Sequence, residues 1–429
     1  MYSYALTRTL IMGLMLLVAS LCVAEEQREL TLQQAVVQVR QYNPSFAASR
    51  QSAQALAFKP RQVDSLPDPI LTLGAGALPT DTFSSKQEAM TQLSVGFSQA
   101  FPFPGKLGLA AEAESYLAKA ATDESNEWML QLISQVKISW WNIYYLDRAL
   151  ETVANNQSLM RQLIQIAQSK YKVGKGLQQD VLLAQLELTK LLDLNIQLDA
   201  ARSLEASRLN ALLNRPAYQG VMLPKTVDEA LTNIENDEVL VEKALAVRPR
   251  LAQQEKLIEA ASARVSLADK GNYPDFKLGA TYGWRGEDPV TGLDRADLAS
   301  VSLSMTLPFF TGDKQHAQIQ QRQAEQARES FKYTDIKNGV IAEITNAATH
   351  YKKSKSQVEL FKSGMIPQAK QTVASMLAAY QVNKVDFLNL VRAQVTLYNY
   401  ETQYWKVFAE ANQALALLDA AVGKDESYE

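Results

Sequence analysis

The sequence predicts a mostly helical α+β protein built from two tandem helix, strand, strand, long helix, helix repeats. Two observations carry that reading. Landmarks recur at a nearly constant spacing of just over 200 residues, and runs of alternating polarity precede very long Ala/Gln/Glu-rich stretches. At 429 residues the chain also exceeds the ~250–300 residues one core usually serves, so two domains or an elongated fold are expected.

Four pairs of landmarks define the repeat. Pro67-Asp68 in "LPDPILTLGAG" matches Pro274-Asp275 in "YPDFKLGATYG", 207 residues on. Pro102 of "FPFPGKLGL" and Pro308 of "LPFFTGDKQ" lie 206 apart. Tyr171 of "YKVGKGLQQDVLLAQ" and Tyr380 of "YQVNKVDFLNLVRAQ" lie 209 apart, and Pro44 and Pro249 lie 205 apart. The boundary falls near Pro216–Lys225, giving repeats 25–220 and 221–429.

The first 24 residues read as a secretory signal: Arg8, an apolar core from Leu10 to Val18, then Ala24 as the cleavage point. Cleavage there leaves no cysteine in the mature chain. The sole Cys22 opens the alternative of a lipidated N-terminus, although Leu21 stands where lipoprotein signals carry a small residue. No run of 18 apolar residues follows, so no membrane-spanning helix is expected, and a closed barrel is the remaining way to cross a bilayer.

In repeat one, Ala35, Val36, Val39, Phe46, Ala53 and Leu56 keep helical spacing and predict a helix over 31–63. Strands are expected at 69–77 and 92–101. A long helix follows over 105–173, where Leu132, Val136, Trp140, Ile143, Leu146, Leu150 and Val153 form a coiled-coil seam. At ~1.5 Å per residue that helix is ~105 Å long, too long for a compact globule. Gly174 suits the left-handed residue that ends it, with Asn383 the next-best choice at the matching place. A last helix covers 177–213. Repeat two is predicted as helix 240–270, strands 275–284 and 299–307, long helix 313–381 and helix 385–422.

The strands alternate in polarity. Ser300, Ser302, Ser304 and Thr306 alternate with Val301, Leu303, Met305 and Leu307; Gln92, Ser94, Gly96 and Ser98 alternate with Leu93, Val95 and Phe97. Phe276, Leu278, Ala280, Tyr282 and Trp284 face away from Lys277, Gly279, Thr281 and Gly283, and Leu71, Leu73, Ala75 and Ala77 share a face of the first strand. A soluble sandwich alternates too. The export signal and the ~10-residue strands favour a barrel with lipid outside and water inside. Four strands cannot close a pore, so the chain must oligomerise; three copies would supply twelve.

In this order and spacing, the "PDP…LG" strand starts, the "PFPGK" and "PFFTG" corners and the paired "YxxGxxxxxDVL"-like turns resemble the TolC-type outer-membrane efflux channels. The heavy-metal efflux branch is the most similar, on the segment "LPDPILTLGAGALPTDTF". The resemblance spans nearly the whole mature chain. It implies a homotrimer in the outer membrane of a Gram-negative bacterium, with a twelve-stranded barrel continuing into an α-helical coiled-coil tunnel across the periplasm. It implies as partners a periplasmic adaptor (a membrane fusion protein), an inner-membrane pump of the RND type and outer-membrane lipid. Each strand-to-helix corner would turn a barrel strand into a tunnel helix: Pro102, Pro104 and Pro308 end ladder pairing for want of an N–H, while Gly105 and Gly312 let the backbone swing.

The resemblance also places Tyr171–Asp180 and Tyr380–Asn389 at the closed periplasmic tip. Asp180 and Asp386 are read as matching acids of a gate, with Asn389 where a second acid often stands. Three copies of such an acid would repel one another or bind cations. A solvated acid stabilised by a helix dipole is the plainer reading. Tyr171, Lys172, Gly174, Lys175, Tyr380, Asn383 and Lys384 are the expected tip turns and adaptor contacts.

No other chemistry stands out. "VGKGLQ" lacks the spacing and Ser/Thr of a phosphate loop, and "GAGALP" lacks the third glycine of a dinucleotide loop. His316 and His350 have no histidine at i+4, so neither a metal site nor any cofactor is expected. The aromatic group Trp140, Trp141, Tyr144 and Tyr145 is read as helix packing. A net charge of -3 without a basic stripe gives no reason to invoke nucleic acid. The leading reading is a passive efflux duct, not an enzyme, for heavy-metal cations of the copper/silver or cobalt/zinc/cadmium type. Alternatives are a drug-efflux or type I secretion channel of the same architecture, or a structural periplasmic coiled-coil protein.

Overall fold

The structure, a computed structural model, describes residues 29–424; the predicted signal segment and Cys22 lie outside the described residues. Repeat one contains α1 (Leu32–Tyr42), α2 (Pro44–Ala57), α3 (Lys59–Val63), β1 (Ile70–Gly76), β2 (Gln92–Phe101), α4 (Lys106–Lys172) and α5 (Gln178–Leu212). Repeat two contains α6 (Asp237–Val247), α7 (Pro249–Asp269), β3 (Phe276–Arg285), β4 (Leu298–Met305), α8 (His316–Leu360), α9 (Ile366–Gln381) and α10 (Phe387–Val422).

Three predicted helices are interrupted, each at a proline. The expected helix 31–63 is three helices. Asn43 is extended before Pro44, and Pro60 sits in the first turn of α3. The expected helix 240–270 breaks at the extended Arg248, before Pro249. Proline restricts the residue before it and lacks the N–H that would continue a helix. The expected helix 313–381 is α8 and α9 joined through a π-helical turn, Phe361–Met365, just before Pro367. The missing N–H there is accommodated by one wide turn. A second π-helical turn, Thr311–Gln315, leads into α8.

The chain forms two compact units, and neither is a repeat. One contains residues up to 44, 129–241 and from 343 on; the other contains 45–128 and 242–342. Each draws on both halves of the sequence.

In the first unit, Trp140 is buried among Trp141, Tyr144 and their neighbours, with ring centroids 4.9 and 5.7 Å apart. Phe408 of α10 meets Trp141 edge-on at 5.6 Å, and the Trp140 indole N–H donates to the Leu30 carbonyl at 2.8 Å. The aromatic group is helix packing. The segment between α5 and α6 is tied down by polar bonds. Tyr351 donates to the Thr232 carbonyl at 2.6 Å, while Tyr404 and Lys362 both donate to Glu229, at 2.7 and 3.0 Å.

The second unit holds one four-stranded antiparallel sheet in the order β1-β2-β3-β4. The central pairing, β2 with β3, joins the two repeats, running from Gln92↔Arg285 to Phe101↔Phe276. Ala113 and Ala120 of α4 and Ala260, Ala261, Ala263 and Ala268 of α7 are buried, small side chains suited to close helix packing. In the same unit Arg248 donates twice to Glu127, at 2.8 and 2.7 Å, with both side chains buried.

Candidate functional site

The sheet has two chemically distinct faces, and the ladder register fixes them. Leu71 is opposite Phe97, which is opposite Ala280, which is opposite Val301. Leu73, Val95, Tyr282 and Ala299 form the next row of the same face. This apolar face is open to its surroundings: Leu73 is 75% exposed, Val301 80% and Leu303 66%. A contiguous exposed apolar surface marks a lipid or protein contact.

On the other face Thr72, Ser94, Ser98, Thr281, Ser302 and Ser304 line a shallow hollow with Gly96, Gly279 and Lys277. A Cβ on Gly279 would come within 2.8 Å of the Ser302 hydroxyl, so glycine keeps this face low. Its hydroxyls and one ammonium offer no carboxylate, imidazole or thiolate to a metal. Among the described residues no group of three or more His, Cys, Asp or Glu could hold a metal ion.

At the corner from β2 into α4, the ladder ends at Phe101 before Pro102, Pro104 lies in the turn, and Gly105 takes a φ of 90°. Asp275, entering β3, fastens this corner. Its carboxylate accepts from the Phe103 N–H at 2.7 Å and from the Lys106 ammonium at 2.8 Å, and Phe103 stacks on Tyr273 at 4.5 Å. The second corner is built differently. Pro308 follows β4, but Gly312 lies in the π-helical turn without a left-handed φ, so the expected swing at Gly312 is absent. Two additional residues in "PFFTGDK" are taken up by that wide turn instead.

In the first unit the two helix turns share one design, 209 residues apart. Gly174 and Asn383 are left-handed, with φ of 71° and 61°. The N–H of Lys175 reaches the Lys170 carbonyl at 2.8 Å, and that of Lys384 reaches the Ala379 carbonyl at 2.9 Å. Such bonds satisfy the last carbonyls of a helix. Leu177 and Asp386 then stand at the N-caps of α5 and α10. Asp180 donates its N–H to the Leu177 carbonyl and Asn389 to that of Asp386, each at 3.1 Å. This register corrects the expected match of Asp180 with Asp386. Asp180 corresponds to Asn389, and Asp386 corresponds to Leu177.

The side chains make the two turns unequal. Tyr171 is exposed, whereas Tyr380 is buried against Phe387 with centroids 5.1 Å apart. Lys170 donates to the Tyr380 carbonyl and, at 2.6 Å, to Asn383 Oδ1, with its ammonium 4.2 Å over the Tyr380 ring. A cation at a helix C-terminus offsets the partial negative charge of the last carbonyls. Burial raises the Asp180 carboxyl above its ordinary range and Asp386 raises it further, while the hydrogen bond at Leu177 and the Lys170 charge pull the other way. Burial raises the Tyr380 phenol as well, helped by the negative charge of Asp180. The sequence singled out Tyr171, Lys172, Lys175 and Lys384, which are exposed. It passed over Lys170, whose place in the last turn of α4 was the available signal.

Residues 240–424 match the family model described as outer membrane efflux protein. The chain is 23% identical over 228 residues to the cobalt-zinc-cadmium resistance protein CzcC of Cupriavidus metallidurans, covering 53% of this chain and 52% of that one. It is 21% identical over 295 residues to the outer membrane efflux protein BepC of Brucella suis, covering 66% and 61%. The matches thus span about half to three fifths of these relatives. The fold is that of CusC, described for folding and transmembrane channel formation, with a TM-score of 0.78 at 15% identity over 92% of this chain and 93% of that one.

Proposed function

We propose that this protein is the outer-membrane exit duct of a tripartite efflux system. The observation that carries the reading is the two-faced sheet: leucine, valine and aromatic residues on one side, hydroxyls and glycines on the other. Lipid suits the first face and water the second. Three chains supply twelve strands for one barrel, which continues into a periplasmic tunnel of α-helices. The turns at Gly174 and Asn383 form its closed periplasmic end. There Asp180 and Asp386 line the constriction with Asn389, and Lys172, Lys175 and Lys384 meet a periplasmic adaptor. An inner-membrane pump of the RND type drives transport, and the duct itself carries out no chemistry.

Heavy-metal cations are the favoured cargo, supported by the similarity to the cobalt-zinc-cadmium resistance protein CzcC. The hydroxyl face holds no metal ligand set, so cargo selection belongs to the pump and adaptor. Deleting the gene and challenging cells with metals, drugs and a secretion reporter tests this. Sensitivity confined to cobalt, zinc, cadmium, copper or silver is expected; sensitivity to drugs alone would reassign the cargo.

A further inference from the structure

We propose that a cavity between the sheet-proximal ends of α4, α7 and α8 is a binding site for a phosphate group, held by Arg264 and Arg322. The site goes beyond the duct reading and does not depend on it.

The cavity belongs to the second unit and has a volume of about 200 Å³. Its charged lining residues are Lys106, which opens α4, Arg264 of α7 and Arg322 of α8. Among the described residues no carboxylate lines it. Three cations around one hollow repel one another, and an anion between them relieves that repulsion.

Carboxylates outside the cavity offset the charge only in part. Asp275 takes the Lys106 ammonium at 2.8 Å, and Glu325 takes one terminal nitrogen of Arg322 at 2.7 Å. Glu114 lies 3.9 Å from Arg264, too far for a hydrogen bond, and the Arg264 guanidinium makes none among the described residues. The Gln318 side chain, exposed on the cavity wall, also makes none among the described residues.

The unspent donors are thus one whole guanidinium, the remaining N–H groups of a second and a carboxamide. A planar guanidinium presents paired N–H groups that match the oxygens of a phosphate, and such charge-assisted pairs are strong. Leu267 adds an apolar wall that suits the carbons of a phosphate ester. The volume falls below the ~300–1,000 Å³ of a drug-sized site, so it admits a phosphate and a few carbons rather than a whole nucleotide.

Phosphate of this kind has two sources. Lys106 lies five residues after β2 ends at Phe101, and the lining residue Gly271 lies five before β3 begins at Phe276. With the sheet spanning a bilayer, the cavity sits near the level of lipid headgroups, whose phosphates basic pockets bind. A free phosphate in solution presents the same oxygens. Only the lipid source draws on the duct reading.

Two titrations of the full-length protein in nonionic detergent test the site and separate the sources. Inorganic phosphate is titrated against chloride at equal ionic strength by isothermal calorimetry, and phosphatidylglycerol is titrated by native mass spectrometry. Saturable binding of either supports the site: phosphate alone assigns a soluble anion, and phosphatidylglycerol alone assigns a headgroup. Arg264→Gln and Arg322→Gln should each weaken binding roughly 10- to 100-fold, the loss expected for a hydrogen bond to a charged group. Gln318→Glu changes an exposed position, where folding is safe, and should abolish binding by setting a carboxylate on the wall. Lys314→Gln removes an equal charge outside the cavity and should leave binding unchanged. The proposal is overturned by wild-type protein that binds neither probe, or by equal losses in Lys314→Gln and Arg264→Gln. Unchanged affinity in Arg264→Gln, Arg322→Gln and Gln318→Glu overturns it as well. Gene deletion without any efflux phenotype, with phosphate binding intact, removes the duct and leaves the site.

Discussion

Lys170, two residues before the end of α4, is hydrogen-bonded to Asn383, the left-handed residue that closes α9, at 2.6 Å. One repeat thus caps the helix end of the other. Its repeat counterpart, Ala379, cannot return the contact, so the arrangement is one-sided.

Lys170→Ala should loosen the second turn and leave the first unchanged. A hydrogen bond to a charged group contributes ~1.5–3 kcal/mol, and half-exposure of the lysine puts the loss at the lower end. Hydrogen exchange should show roughly tenfold faster opening at residues 383–389 with little change at 174–180. Tyr380→Phe should cost little, because the Tyr380 hydroxyl is buried without a hydrogen-bond partner among the described residues.

Asp180 should make the tip sensitive to pH. Its folded carboxyl titrates above the ordinary value of 3.8, chiefly through burial. The protonated form is favoured by folding, so this contribution is fully present below 3.8 and is lost as pH rises through the raised value. Exchange protection at the tip should therefore grow on acidification. Asp180→Asn should remove that growth and leave the neutral-pH tip at least as stable as wild type.

Gly174 and Asn383 announced their left-handed turns because few other residues tolerate that backbone. The matching of Asp180 was harder: only counting from the left-handed residue shows that Asn389, not Asp386, is its counterpart. Lys170 acts on a helix end 213 positions away, a distance that no local pattern bridges. In the strands, polarity alternation marked both faces of β2, β3 and β4, and only the apolar side of β1, where it is weakest. Pro367 was visible too, but whether a proline ends a helix or is absorbed by a π-helical turn depends on what packs around it.

Breaking the buried Glu127–Arg248 pair should destabilise the second unit severely. Removing one partner takes two buried charge-assisted hydrogen bonds from the other, a loss of ~3–5 kcal/mol. Glu127→Ala should lower the midpoint of thermal unfolding sharply, while the pair Glu127→Leu with Arg248→Met should recover much of it.

The faces of the sheet make opposite predictions for a charge. Leu303→Arg places a guanidinium on the apolar side, where a bilayer midplane would impose ~2–4 kcal/mol, and should deplete the protein from the outer-membrane fraction. Ser302→Arg should leave that fraction intact and lower single-channel conductance in planar bilayers. Equal behaviour of the two variants would remove the distinction between lipid and water sides.

The unfinished rims of the sheet carry a consequence for biogenesis. Each unpaired amide or carbonyl left in hydrocarbon costs several kcal/mol, so a solitary subunit entering the bilayer would bear that cost along both outer strands. In the proposed barrel, a polypeptide therefore could not insert first and find its companions later. Entry into the membrane and recruitment of the sister subunits would be one concerted event. Until then, the oily side of the ribbon would need shielding.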